Sequence, residues 1–200
     1  KNPANFIPLT PISFLHRTAD IYGERTAIIY EDCSLSWKSC RDRCVRIASS
    51  LNNLGIHQGD TVAVFAFNTP EMFESHFSVP MSGGVLNTIN TRLDAATIAY
   101  ILDDGDAKAL IVDRELLDVT SAALAIANNK PKVILIDDKY ASIKQKIEID
   151  VIEYESLVTS GDPLFEWQMP EDEWKPLSLN YTSGTTGQPK GVVYHHRGAY

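Results

Sequence analysis

Short apolar runs alternate with longer amphipathic stretches between residues 10 and 136. The runs are rich in β-branched residues and have the length of strands, whereas the stretches repeat their apolar residues every three or four positions, as helices do. Strands are predicted at 26–30, 33–37, 61–67, 85–89, 107–112 and 132–136. Helices are predicted at 10–23, 40–54, 69–77, 95–102 and 116–127. Strands that alternate with helices in this way require crossover connections, so the pattern predicts an α/β fold with a mainly parallel sheet flanked by helices.

The pattern weakens from residue 137 to residue 175, where prolines interrupt it and one short helix is predicted near 154–158. The segment still contains the aromatic residues Tyr154, Phe165, Trp167 and Trp174. Disordered segments are poor in aromatic residues. We therefore expect an ordered connection between two parts of the sheet.

Composition and charge exclude several classes of protein. The chain has 44% hydrophobic and 22% charged residues, as ordinary globular proteins do, and no apolar run approaches the roughly 20 residues of a transmembrane helix. A net charge of −8 disfavours nucleic acid and anionic membranes as partners. The odd, low number of cysteines argues against a disulfide scaffold. Cys40 and Cys44 lie one helical turn apart, and we expect them to be small core residues.

Both ends of the sequence interrupt its pattern. Residue 1 is Lys, and no apolar segment of the signal-peptide kind follows it. The last residues, 195–200, follow the apolar run 192–194 without completing a further element. We therefore expect the sequence to be a piece of a longer protein.

The segment YTSGTTGQPKG, residues 181–191, carries the clearest chemistry. It follows an alternating strand pattern at 177–181 and precedes the apolar run 192–194, so it is predicted to join two strands. A polyphosphate needs many donors at close range. Glycines let backbone amides turn towards it, the threonine and serine hydroxyls add donors, and Lys190 adds a positive charge. The segment therefore predicts a phosphate-binding loop.

Two other interpretations of this loop are less well supported. A Walker loop requires Gly-Lys-Ser/Thr opening a helix, whereas Gly187-Gln188-Pro189 precedes Lys190 here and Gly191 follows it. A motor or GTPase site is therefore not predicted. A simple polar hairpin loop would not explain the threonines, because turn chemistry favours Gly, Pro, Asn, Asp and Ser.

The string YTSGTTGQPKG resembles the signature loop of the adenylate-forming superfamily, which includes acyl-CoA synthetases, luciferases and peptide-synthetase adenylation domains. The segments at 35–37 and 83–93 also resemble conserved stretches of that family, although Trp37, Asn90 and Arg92 are expected to have structural roles. The segments at 2–15, 90–102 and 192–200 look most like plant acyl-activating enzymes of the benzoate, cinnamate and short-chain acyl-CoA ligase type. The resemblance implies that residues 1–200 are the N-terminal portion of the family's large AMP-binding domain.

The resemblance implies ATP and Mg²⁺ as cofactors, CoA as co-substrate and a small carboxylic acid as substrate. It implies that Lys190 and His196 are catalytic, with His196 lining the acyl and nucleotide pocket, and that Thr182 approaches Mg²⁺. The nucleotide-binding residues that it implies are Thr182, Ser183, Gly184, Thr185, Thr186, Gly187 and Lys190.

The resemblance leaves some alternatives open. The implied function is that of an AMP-forming carboxylic acid–CoA ligase, which activates a carboxylate with ATP as an acyl-adenylate and transfers it to CoA. The family's second nucleotide motif and its C-terminal catalytic lysine would lie after Tyr200, so the piece alone is not expected to catalyse this reaction. Another adenylate-forming enzyme, such as a peptide-synthetase adenylation domain or a luciferase-like protein, is the first alternative. A truncated, non-catalytic nucleotide-binding module is the second. Localisation is expected to be peroxisomal, as for plant relatives, or cytoplasmic.

Overall fold

The computed structural model describes residues 4–167, 169–182 and 187–200. The strands are β1 (Thr26–Tyr30), β2 (Cys33–Ser36), β3 (Thr61–Phe65), β4 (Val85–Thr88), β5 (Ala107–Asp113), β6 (Lys132–Ile136), β7 (Ile152–Glu153), β8 (Pro176–Thr182) and β9 (Lys190–His195). The helices are α1 (Ile12–Tyr22), α2 (Trp37–Asn53), α3 (Pro70–Met81), α4 (Ala95–Asp104), α5 (Leu117–Ile126), α6 (Tyr154–Ser160) and α7 (His196–Ala199), with a 3-10 turn at Arg114–Leu116. Within these residues no helix has the length and apolar character that a membrane span requires.

The main sheet has the strand order β7-β6-β5-β3-β4-β8-β9 in the described part of the chain. Its neighbouring strands are parallel except β8 and β9, which pair antiparallel. The prediction of a mainly parallel sheet flanked by helices is therefore confirmed. β1 and β2 form a separate antiparallel hairpin, as the sequence also predicted.

Helices cover both faces of this sheet. One face packs against α4 and α5 through a core that includes Ala63, Ile98 and Leu110. The other face packs against α2, α3 and α6 through a core that includes Val62, Ile47 and Tyr154. β3 is buried along its whole length, as expected for a central strand covered on both faces.

A third core holds α1 against α2. It contains Cys40 and Cys44, both fully buried, together with Ile12 and Leu15. The prediction that these two cysteines are small core residues is confirmed. Cys33 lies in the hairpin instead and is partly buried.

Polar side chains fix where the helices begin. Ser36 accepts a hydrogen bond from the Ser39 amide, and Asp94 accepts one from the Thr97 amide, in the manner of N-caps. The Ser36 cap explains one error in the predicted boundaries. The sequence pattern places Trp37 in the second strand of the hairpin, but it is the first residue of α2.

Candidate functional site

The predicted phosphate loop lies at the carboxyl ends of the parallel strands, where it connects β8 to β9. Next to β8 in the sheet is β4, followed by β3. Their outgoing connections lead to α3 on one face and to α4 on the other. In open α/β sheets, ligands bind in the crevice that such diverging connections leave at the carboxyl edge. The loop is therefore next to the position where this fold class places a ligand.

Parts of the loop are described, and parts are not. Ser183, Gly184, Thr185 and Thr186 lie outside the described residues. Thr182 and Lys190 are directly opposite each other at the ends of β8 and β9. Gly187 has a φ of 101°, a conformation that side-chain-bearing residues rarely adopt.

Lys190 is available to a ligand. Its side chain is exposed, and it forms no ion pair with a carboxylate anywhere in the ranges that the structure describes. The Thr182 side chain beside it is also exposed. A cation and a hydroxyl group thus meet at the base of the loop, a combination that suits an anionic, oxygen-rich ligand.

Two hydrogen bonds tie the base of the loop to its surroundings. The Thr88 hydroxyl donates to Asn180 Oδ1 at 3.1 Å and so joins the end of β4 to β8. The Tyr181 hydroxyl donates to Asp104 Oδ2 at 2.6 Å and so joins β8 to the end of α4. Partial burial and the Asp104 carboxylate raise the pKa of Tyr181 well above its ordinary value. No sequence pattern predicts this second bond, because its partners are 77 residues apart.

His196 does not lie beside the loop. β9 runs from Lys190, paired with Thr182, to His195, paired with Pro176. Five steps along a strand separate the ends of β9 by about 17 Å. The structure therefore brings Thr182, Gly187 and Lys190 together and places His196 at the opposite edge of the sheet.

The surroundings of His196 are buried. Its Nδ1 lies 2.8 Å from the Thr10 hydroxyl, and both side chains are shielded from solvent. Burial, with a smaller effect of His195, lowers the pKa of His196 below its usual value of 6.5. His196 also lines a cavity of about 340 Å³ with Gln58, Gly83 and Glu171. Gln58 and Gly83 precede β3 and β4, so this cavity is at the amino ends of the strands, far from the loop.

The remaining candidates have structural surroundings. Asn90 accepts a hydrogen bond from the Arg92 amide at 3.0 Å and shapes the turn between β4 and α4. Trp37 packs edge-to-face against Phe73 with ring centroids 6.4 Å apart. The contact of Asn90 confirms its predicted role in the turn, whereas Trp37, expected to pack the hairpin against the following helix, belongs to that helix and packs against α3.

Comparison with known proteins extends these observations. A peroxisomal trans-cinnamate:CoA ligase of Petunia hybrida is 48% identical over an alignment that covers 98% of this chain and 37% of the relative. A peroxisomal acetate/butyrate–CoA ligase of Arabidopsis thaliana is 42% identical, with coverage of 100% and 37%. The chain thus spans little more than a third of the length of these curated relatives.

The fold is shared with a solved structure. The crystal structure of the anthranilate CoA ligase AuaEII in complex with anthranoyl-AMP aligns with a TM-score of 0.83 at 22% identity, covering 98% of this chain and 37% of that one. At this identity the likeness establishes the fold. The model of the AMP-binding enzyme family matches residues 15–200. Because that match covers nearly all of the sequence, the chain belongs to the AMP-binding enzyme family.

Proposed function

We propose that the whole protein is an AMP-forming carboxylic acid–CoA ligase and that this chain is the N-terminal portion of its large AMP-binding domain. The observation that carries the proposal is the pairing of exposed Lys190 with exposed Thr182 at the carboxyl edge of the sheet. Membership of the family and the names of the two plant relatives agree with it.

The reaction has two steps. A carboxylate oxygen of the acid attacks the α-phosphorus of ATP, and the bond to the β-phosphate oxygen breaks, which gives an acyl-adenylate and pyrophosphate. The thiol of CoA then attacks the acyl carbon, loses its proton and displaces AMP to form a thioester. Adenylation is needed because a carboxylate alone would have to expel oxide, whereas AMP is a good leaving group.

The chain's own contribution to this reaction is electrostatic. Negative charge accumulates on the departing pyrophosphate in the first step, and preorganised donors and cations stabilise such charge. Lys190 supplies the cation, and Thr182 supplies a hydroxyl donor next to it. The predicted donors Ser183, Gly184, Thr185 and Thr186 complete the loop in this proposal.

A magnesium ion fits the same place. Mg²⁺ prefers oxygen ligands and is commonly held by substrate phosphates, water and one or two protein oxygens. The exposed Thr182 hydroxyl at the end of β8 is an oxygen of the required kind. When bound, the ion would neutralise charge on the phosphates, and Thr182 would help to hold it.

The names of the relatives supply candidate acids and a candidate compartment for this proposal. Their names point to trans-cinnamate, acetate and butyrate as acids to test, and to the peroxisome as the compartment. No step is assigned to His196, because the geometry separates it from Lys190. Its contact with the acyl group stays a prediction.

Pyrophosphate exchange into ATP tests the proposal in the whole protein. With trans-cinnamate, acetate and butyrate as candidate acids, at least one is expected to support exchange, and addition of CoA is expected to yield the acyl-CoA. Lys190→Ala should lower kcat/KM for ATP about tenfold to a hundredfold, since a charged contact to phosphate is lost. His57→Ala is the control, because His57 is exposed and lies before β3, at the amino edge of the sheet. Equal, small effects of the two variants would refute the assignment of the loop, and exchange without any thioester would favour another adenylate-forming enzyme.

A further inference from the structure

The base of the phosphate loop is attached to the rest of the fold by an aromatic side chain. Tyr181 immediately precedes Thr182 on β8 and lies directly opposite Gly191 on β9. Its hydroxyl donates to Asp104 at 2.6 Å, and its ring packs edge-to-face against Tyr100 with centroids 6.4 Å apart. A single side chain therefore contacts both arms of the hairpin and the last turns of α4.

Two glycines lie against the Tyr181 side chain. A Cβ atom on Gly191 would lie 3.5 Å from Tyr181 Cζ and 2.9 Å from a methyl group of Leu179. A Cβ atom on Gly105 would lie 3.4 Å from the Tyr181 hydroxyl oxygen and 3.3 Å from Leu179. The ring is thus confined between β9 and the C-terminal end of α4, so its position depends on both.

The position of Asp104 is unfavourable for the helix that carries it. It is the last residue of α4, where the helix dipole disfavours negative charge. Its neighbour Asp103 also carries a charge there, but accepts hydrogen bonds from the amides of Asn128 and Asn129. Asp104 is exposed and has its short bond to Tyr181. A residue that breaks a local stability rule is often retained for function.

The end of α4 is a firm reference point. Ile98, Ile101 and Leu102 on this helix are at most 1% exposed and belong to the core under the sheet. A hydrogen bond from the loop base to this helix limits how far Thr182 and Lys190 can move relative to the sheet. Binding of a phosphate group by fixed donors costs less free energy than binding by mobile ones.

We infer that Tyr181 is a positioning residue for ATP, and that Tyr181, Asp104, Gly105 and Gly191 form a clamp that fixes the strand ends at Thr182 and Lys190 against α4. The inference rests on the proposed function. Within it, Tyr181 acts through Thr182 and Lys190 and touches no reacting atom. Loss of the clamp should therefore weaken the use of ATP more than it weakens the fold.

Tyr181→Phe in the whole protein tests the clamp, because it removes one hydroxyl and keeps the ring. Pyrophosphate exchange is measured at varied ATP with the best acid among trans-cinnamate, acetate and butyrate. We expect the KM for ATP to rise about threefold to tenfold, the effect of losing one hydrogen bond, with kcat changing less than about twofold. Asp104→Ala should have the same effect, and the double variant should be no worse than either single one. Since Asp104 is exposed, this second variant is expected to fold even if Tyr181→Phe does not.

Tyr30→Phe is the matched control. Tyr30 donates to Asp138 at 2.5 Å, so this variant removes the same kind of bond in the hairpin β1–β2, in a different part of the fold. It should lower the melting temperature without changing the KM for ATP. An unchanged KM in Tyr181→Phe and Asp104→Ala, with Lys190→Ala still impaired, would overturn the clamp and leave the proposed function standing. Wild-type protein without exchange for any acid would overturn the proposed function and the clamp with it.

Discussion

At the scale of single residues, the phosphate loop depends on backbone conformations that few residues can adopt. Gly187 has a φ of 101°, and a Cβ atom placed there would meet nothing within 4 Å. A substitution would therefore be strained by the backbone alone. Glycine at this position lets the chain adopt this conformation three residues before Lys190.

Gly187→Ala is expected to lower kcat/KM for ATP about fivefold or more, because a strain of about 1–2 kcal/mol would shift the loop away from this conformation. Pyrophosphate exchange in the whole protein measures the effect. Gly55→Ala is the matched control, since Gly55 has a φ of 87° and equally open surroundings, but lies after α2. The control should destabilise the fold by a similar amount and leave the use of ATP unchanged. Similar kinetics in both variants would show that the conformation of Gly187 is unimportant for ATP.

The residue types of the loop could be predicted from the sequence, because hydroxyl groups, glycines and a lysine in this order have a direct chemical meaning. The support beneath the loop could not. The sequence pattern correctly predicts a strand at Tyr181, but its partner Asp104 lies on a helix 77 residues earlier in the chain. Similarly, the separation of His196 from Lys190 depends on β9 extending over Lys190–His195, whereas the sequence pattern predicts a strand only at 192–194.

At the scale of elements, one buried carboxylate joins three helices on the same face of the sheet. Glu74 on α3 is fully buried and receives Arg43 Nε at 2.5 Å and the Tyr154 hydroxyl at 3.0 Å. Arg43 belongs to α2 and Tyr154 to α6. Burial raises the pKa of Glu74, whereas the bonds to Arg43 and Tyr154 oppose that effect. Arg43 also bonds Glu155, which is 62% exposed.

Removal of the Glu74 carboxylate should lower the free energy of unfolding far more than removal of the Glu155 carboxylate. Glu74→Ala leaves a partly buried guanidinium and a buried hydroxyl group without their partner, and we expect a loss of about 3 kcal/mol in the free energy of unfolding. Glu155→Ala removes an exposed partner of the same guanidinium and should cost less than about 1 kcal/mol. Urea unfolding of the two variants gives the comparison. Equal losses would show that burial of Glu74 does not decide its contribution.

Elements with a strong periodic or apolar pattern were predicted well. β6 has the predicted bounds, and α1 and β5 differ from theirs by two residues or fewer at each end. The two-residue strand β7 was missed, because so short a segment has no measurable period. Its place in the sheet depends on pairing with β6, which is a long-range contact.

At the scale of the whole molecule, the order of the strands could not be predicted from the sequence. The chain moves outwards through β5, β6 and β7, and then returns across the sheet to place β8 beside β4. That return places β8 next to β4, so β8 ends at the same edge of the sheet as β3 and β4. The candidate site is therefore a product of topology as well as of the loop sequence.

The same return joins distant parts of the chain through His196. Its Nδ1 is hydrogen-bonded to the hydroxyl group of Thr10, just before α1. Nearby, Glu173 accepts a hydrogen bond from the Leu9 amide at 2.9 Å and forms an ion pair with Arg197 at 2.6 Å. These contacts attach the segment before α1 to the end of β9. Their stability should depend on the protonation of His196, which is the buried titratable group among them with a lowered pKa.

Acidification should loosen this attachment. The pKa of His196 is lowered below 6.5 by burial, so the folded protein keeps the imidazole neutral at pH values where the unfolded chain has bound a proton. The contribution of His196 to the free energy of unfolding is thus fully present above pH 6.5 and is lost as the pH falls towards the lowered pKa. We expect the melting temperature of the wild type to fall as the pH is lowered from neutral to about 5. In His196→Asn, which cannot titrate at this position, the slope of melting temperature against pH should be smaller. His16, stacked on Trp167, also has a pKa lowered by burial, so the slope should shrink rather than vanish. The exposed His57 provides the control His57→Asn, and a slope that changes as little in His196→Asn as in this control would contradict the proposed dependence.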